Sequence, residues 1–193
     1  SRRSFAWLSA VGAVAAIGMV TFEGYRMERL LTFRDMWSNQ NLDDAGFHAS
    51  RALAAMAGAP VPLGGGPGSG WAKHFMPAAT TDYAMVTIAE EFGIIGSLAV
   101  IALLGGLTYV IGKRGLEQLQ RSESLTDPQA LARARFAALT LIGIALWLGV
   151  QTTFNAMMAN GTLPSIGIPL PFFSAGGSSL MALGLAMALS AAR

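Results

Sequence analysis

Asp82 is the side chain in this sequence best placed to do chemistry. It stands in Met76-Pro77-Ala78-Ala79-Thr80-Thr81-Asp82-Tyr83, where a polar loop gives way to an apolar run about one membrane helix long. Two readings of it compete. As a helix cap, the carboxylate accepts hydrogen bonds from the first free N–H groups of the helix, a contribution of about 1 kcal/mol; Thr80 and Thr81 can cap equally well. As a general base, it removes a proton from a sugar hydroxyl as that hydroxyl attacks. The two are compatible, because a cap is a rigid place for a base. Basic residues gather upstream, at Arg26, Arg29, Arg34, Arg51 and Lys73, and would suit an anionic substrate delivered by the lipid.

Arg26 and Arg29 share a helix face. They read as interfacial anchors or a local pair with Glu28, or as a pyrophosphate clamp, since guanidinium forks match phosphate oxygens. Lys73 adds a point charge after a Gly-rich run whose N–H groups can approach phosphate. Gly64-Gly65-Gly66-Pro67-Gly68 is no P-loop, because no Gly-Lys-Ser/Thr follows. Glu90 and Glu91 come about two turns after Asp82, so one of them can share its face; a capping box from Thr87 or snorkelling at the interface is the plainer account. Gln151 and Asn155 are one turn apart and read as interhelical hydrogen-bonding amides or as the wall of a polar cavity. The segment from Leu163 to Ser179 holds Pro164, Pro169 and Pro171 and cannot be a regular helix, yet it is apolar. Such backbone at membrane depth needs a cover of protein or a water-filled cavity. Gly176-Gly177-Ser178-Ser179 then opens the last helix, its N–H groups toward the site; a packed re-entrant turn is the alternative.

The elements that must position these residues follow from composition. The 193-residue chain is 53% hydrophobic and 12% charged, unlike an ordinary soluble domain. It has no Cys, which excludes disulfides, thiol nucleophiles and Cys-type metal sites, and His48 and His74 alone cannot make a multi-His site. A formal charge of +2 is too small to argue for nucleic acid. Arg2 and Arg3 precede the first apolar run but no small-residue cleavage site follows it, so no cleavable signal is expected.

An all-α integral membrane protein with four transmembrane helices is expected, as a single membrane domain over residues 1–193. The spans are 5–22, 86–112, 136–159 and 179–193; the last is long enough only if Phe172–Ser179 joins it. Between them lie a long extracytoplasmic loop (23–85), a cytoplasmic loop (113–135) and an extracytoplasmic re-entrant segment (160–178). Lys and Arg set this orientation. Arg2, Arg3, Lys113, Arg114, Arg121, Arg133, Arg135 and Arg193 make one side net basic, while the other is net acidic. The 23–85 loop is too long for a bare connector. Gly46–Gly58 reads as a short helix whose Ala-rich face lies on the membrane or packs on the spans. The Pro/Gly stretch 59–70 cannot be helical. Asp127-Pro128 reads as N-cap and N1 of the helix entering the third span.

Two blocks carry a family resemblance: Pro77, Thr81-Asp82-Tyr83, Glu90-Glu91-Phe92-Gly93 and Gly96, and then Leu163-Pro164, Gly167, Leu170-Pro171, Ser174 and Gly176-Gly177-Ser178-Ser179. Tyr25-Arg26-x-x-Arg29, Lys73, Gln151 and Asn155 fall in register with them. Over nearly its whole length the chain resembles the C-terminal half of the SEDS proteins, the family of FtsW and RodA. Ala175 stands where that family usually has Tyr.

The resemblance implies about half of a ten-span bundle, in a multi-pass protein of the bacterial inner (cytoplasmic) membrane. It implies a peptidoglycan glycosyltransferase that polymerises lipid II into glycan strands at the outer face, in cell division or elongation. Asp82 would deprotonate the acceptor 4-hydroxyl, and pyrophosphate-undecaprenol would leave. Arg26, Arg29, Lys73, Glu90, Gln151, Asn155, Ser174, Gly176, Gly177 and Ser178 become candidate substrate-binding residues. No cofactor is certain; a divalent cation, Mg or Mn, can assist, with Asp82 as its candidate ligand. Expected partners are lipid II, a class B penicillin-binding protein transpeptidase and other divisome or elongasome membrane proteins. A lipid II flippase and a catalytically silent scaffold are the rival functions.

Overall fold

The computed structural model describes Trp7 and residues 47–58, 60, 62–75, 81–164, 167–175 and 177–191. Contacts divide the chain into a unit 1–50 and a unit 51–193, and the candidate site lies in the second. The described residues form α1 (Phe47–Gly58), α2 (Ala72–Phe75), α3 (Ala84–Ser122), α4 (Pro128–Ala159) and α5 (Gly177–Ala191), with no strand among them. The expected span 5–22 falls outside the described residues except for Trp7.

Among the described residues, α3 and α4 are the two helices long and apolar enough to cross a membrane. They form an antiparallel pair joined at 123–127. Thr108 lies against Gly149 and Gly112 against Ala145, while a Cβ on Gly115 would press on Ile142. Small residues at these positions let the helices approach closely, as interfaces in lipid require. Only 11% of the most apolar stretch of α3 and 33% of that of α4 is buried. Leu98, Leu103, Tyr109, Leu139 and Leu146 stay exposed. A core helix of a soluble protein would hide such side chains; these suit lipid. α5 packs on α4 by placing Leu183 among Ile111, Ile144, Ala145 and Leu148. At 15 residues, α5 is shorter than the roughly 20 needed for a span.

The start of α4 is as the sequence predicts. Asp127 is its N-cap, accepting from the N–H groups of Gln129 (3.4 Å) and Ala130 (2.9 Å), with Pro128 at N1. α1 occupies the Ala-rich stretch expected to be helical. Its Ala52 and Ala55 pack into a core with Tyr83, Met85, Val86, Ala159 and Leu170, which settles the choice between membrane surface and packed core for those two residues. This core lies at the end of the α3–α4 pair that carries Asp82.

α3 is interrupted at Gly93, whose φ of 66° and ψ of −161° are non-helical. Only glycine adopts that backbone readily, and a Cβ there would overlap the Pro62 carbonyl oxygen. The Pro/Gly loop docks on this break. Gly65 and Gly66 donate to the carbonyls of Glu90 and Glu91, each at 2.9 Å, and Ile95 donates to Pro62 O at 3.4 Å. The loop thereby supplies partners that the broken helix lacks. The Gly65 and Gly66 N–H groups, which could have served a phosphate, are engaged in this way.

Candidate functional site

Asp82 sits in the turn 81–83 that leads into α3 and is half-buried. It is not the cap of that helix. The N-cap is Tyr83, and no side chain caps it; Val86 N–H bonds to Tyr83 O at 2.9 Å. Among the described residues nothing hydrogen-bonds to the Asp82 carboxylate. The helix-cap expectation is therefore corrected: the helix starts one residue later, at Tyr83.

The backbone of the same turn is fixed from two distant parts of the chain. Asn155, fully buried near the end of α4, donates through Nδ2 to Asp82 O and to Ile168 O, both at 2.8 Å. The buried Ser174 hydroxyl donates to Thr81 O at 2.5 Å and accepts from Leu170 N–H at 2.7 Å. Consecutive carbonyls of the Asp82 turn are thus tied to the proline segment. Gly167, at φ +73°, faces the carboxylate: a Cβ on it would lie 3.6 Å from Asp82 Oδ2. Asn155 Oδ1 is buried without a partner among the described residues.

The other expected site residues are placed unevenly. Glu90 is buried, and its carboxylate accepts from Trp71 N–H (3.2 Å) and Ala72 N–H (2.9 Å) at the start of α2. It anchors the start of α2, the helix that carries Lys73. The capping-box account from Thr87 is replaced. Gln151, one turn before Asn155, is half-buried and does not join the hydrogen bonds to the turn. Gly177 and Ser178 open α5 as expected. Arg26, Arg29 and Gly176 lie outside the described residues. Among the described residues no group of three or more His, Asp or Glu could hold a metal ion.

Sequence reasoning missed the docking of the Pro/Gly loop on α3. Gly93 inside an otherwise helical run was the signal that could have found it.

The chain matches known proteins along its length. The cell cycle protein family of FtsW, RodA and SpoVE matches residues 1–192. A probable peptidoglycan glycosyltransferase FtsW of Halomonas elongata is 38% identical over 178 residues, covering 91% of this chain and 41% of that protein. One of the same description from Aromatoleum aromaticum is 36% identical over 191 residues, covering 97% of this chain and 42% of that protein. A third, from Nitrosococcus halophilus, is 35% identical over 189 residues, covering 96% and 44%. The chain thus spans about two fifths of the length of these curated relatives.

Proposed function

Because the chain belongs to the FtsW/RodA/SpoVE cell cycle protein family, we propose that it is the part of a peptidoglycan glycosyltransferase that holds the general base, Asp82. The acceptor sugar's 4-hydroxyl attacks the anomeric carbon of the donor. Asp82 takes the hydroxyl proton as the new C–O bond forms, and the bond from that carbon to pyrophosphate-undecaprenol breaks. The leaving diphosphate carries the electron pair away. The donor and acceptor are lipid II and a glycan chain end, brought together at the outer face of the inner membrane. Arg26, Arg29 and Lys73 are the candidate donors to diphosphate, and a class B penicillin-binding protein is the candidate partner.

The observation that supports this reading is a carboxylate with no hydrogen-bond partner among the described residues, on a backbone held by Asn155 and Ser174. A base must reach the proton it removes at a heavy-atom distance of about 3 Å, so its carrier must not drift. It must also be unengaged until substrate arrives. Asp82 fits both conditions among the described residues: it is half-buried, caps no helix, and has its own carbonyl held by Asn155.

The test is polymerisation of lipid II by the full-length protein in vesicles, with substrate supplied on the outer face so that no transport is needed. Wild type is expected to form strands and Asp82→Asn is not. Strand formation by the Asn variant at the wild-type rate would remove Asp82 as the base. No strands from wild type, with lipid II crossing the bilayer, would favour transport.

A further inference from the structure

We infer that Asn155 and Ser174 are positioning residues for Asp82, a two-point backbone clamp, and not contacts to substrate. This deepens the reading of Asp82 as the base and rests on it.

The hydrogen-bonding capacity of the two side chains is the first argument. An Asn side chain has two N–H donors on Nδ2 and a Ser has one O–H donor. Asn155 gives its donors to the carbonyls of Asp82 and Ile168, and Ser174 gives its one to the carbonyl of Thr81. None is left for a sugar or a diphosphate. Both residues are also shut away from solvent, at 0% and 6% exposure, whereas Asp82 is only half-buried.

The second argument is what they hold. The turn before α3 has no side-chain cap of its own, and two of its carbonyls are held from distant parts of the chain. The fixation is tertiary, from residues 73 and 93 positions away in sequence. The same two side chains grip the proline segment, at Ile168 O and at Leu170 N–H. They therefore set two surfaces relative to each other: the carboxylate of Asp82 and the bare Cα of Gly167 opposite its Oδ2. Proline has no N–H and disrupts regular pairing, so a segment with Pro164, Pro169 and Pro171 needs side chains to hold it in place.

The experiment uses the full-length protein with lipid II as substrate. Ser174→Ala removes one of the two clamp points with little change of volume. It is expected to lower kcat about 10- to 100-fold, the scale of a small misplacement of a reacting group, with KM for lipid II unchanged within about twofold. Ser174→Thr keeps the hydroxyl and is expected to recover most of the rate. In an Asp82→Asn background Ser174→Ala is expected to cause no further loss, because the two act as a unit. Amide hydrogen exchange gives a readout independent of activity: Ser174→Ala should speed exchange in the first turn of α3 while the middle of α4 keeps its protection. A raised KM with unchanged kcat would make Ser174 a substrate contact and overturn the inference, and so would unaltered exchange at the start of α3. If Asp82→Asn alone polymerises like wild type, it is the base assignment that falls, and the exchange measurement still decides whether the clamp exists.

Discussion

The stretch of α3 before its break, from Ala84 to Phe92, is held at its two ends by opposite means. At the Gly93 end the partners are backbone groups: Gly65 and Gly66 N–H on the carbonyls of Glu90 and Glu91, with the Glu90 carboxylate reaching across to α2. At the Asp82 end they are side chains of Asn155 and Ser174 on the carbonyls of Asp82 and Thr81. The first arrangement satisfies the groups it brings together. The second leaves a half-buried carboxylate without a partner among the described residues, and a buried Asn155 Oδ1 likewise. A buried acceptor with no donor costs about 1–3 kcal/mol. Stability alone gives no reason to keep that cost, whereas holding the turn that carries Asp82 does. On the proposed reading, one end is scaffold and the other carries the base.

The sharpest way to break this contrast is to neutralise Asp82. Asp82→Asn is expected to lower the polymerisation rate by about 10²- to 10⁴-fold, the usual contribution of a general base. The unfolding temperature in detergent should hardly move, since a substitution that removes no packed or paired group changes stability by about 0.5 kcal/mol or less. A variant that lost activity only in proportion to lost folded protein would place Asp82 in the scaffold.

Gly93→Ala attacks the other end and should do the reverse. Its backbone conformation costs a non-glycine residue about 1–3 kcal/mol, and the added Cβ overlaps Pro62 O, so the loop must detach. The expected result is a clear drop in thermal stability, with faster exchange of the Gly65 and Gly66 amides. Glu90→Ala is a milder version. It removes an acceptor that bonds two backbone N–H groups, which is worth about 1.5–3 kcal/mol. Thermal unfolding should register that loss while kcat per folded molecule stays near wild type. A large fall in kcat from Glu90→Ala with no stability change would restore Glu90 to the substrate site and erase the division between the two ends.

The same division explains what could be read from sequence. α1, the non-helical Pro/Gly stretch and the Asp127-Pro128 helix start rest on local chemistry, where residue type and spacing carry the signal. The apolar lengths of α3 and α4 are legible for the same reason. The Asp82 end is partly legible: an acid at a membrane mouth, an Asn at membrane depth and a proline segment each stand out by type. Their connection does not, because Asn155 reaches Asp82 O and Ser174 reaches Thr81 O across long sequence separations. Local rules also misplace the cap. Thr81 and Asp82 both have capping side chains, yet the chain turns one residue later, at Tyr83. The buried Tyr83 side chain lies in the core with Ala52, Val86 and Leu170, so burial outweighs a cap worth about 1 kcal/mol. The docking of the loop at Gly93 was the least legible, since it uses backbone groups that every residue but proline possesses.

The smallest expected effect tests whether α4 itself divides in the same way. At one end Asp127 caps the helix with its own carboxylate, exposed to solvent and bonded to Gln129 and Ala130 N–H. At the other, Asn155 reaches out of the helix to grip the Asp82 turn. Asp127→Ala removes the cap and should cost about 1 kcal/mol, a small shift in unfolding temperature, while Asp127→Asn should retain most of it. Neither should alter kcat. A frayed first turn at Pro128 leaves the rest of the helix held by its packing on α3, through Gly115 against Ile142 and Gly112 against Ala145. If Asp127→Ala nonetheless lowered kcat severalfold at unchanged KM, α4 would be acting as a single rod. Strain at its capped end would then reach Asn155 and the base it positions, and the two ends could no longer be treated as separate structures.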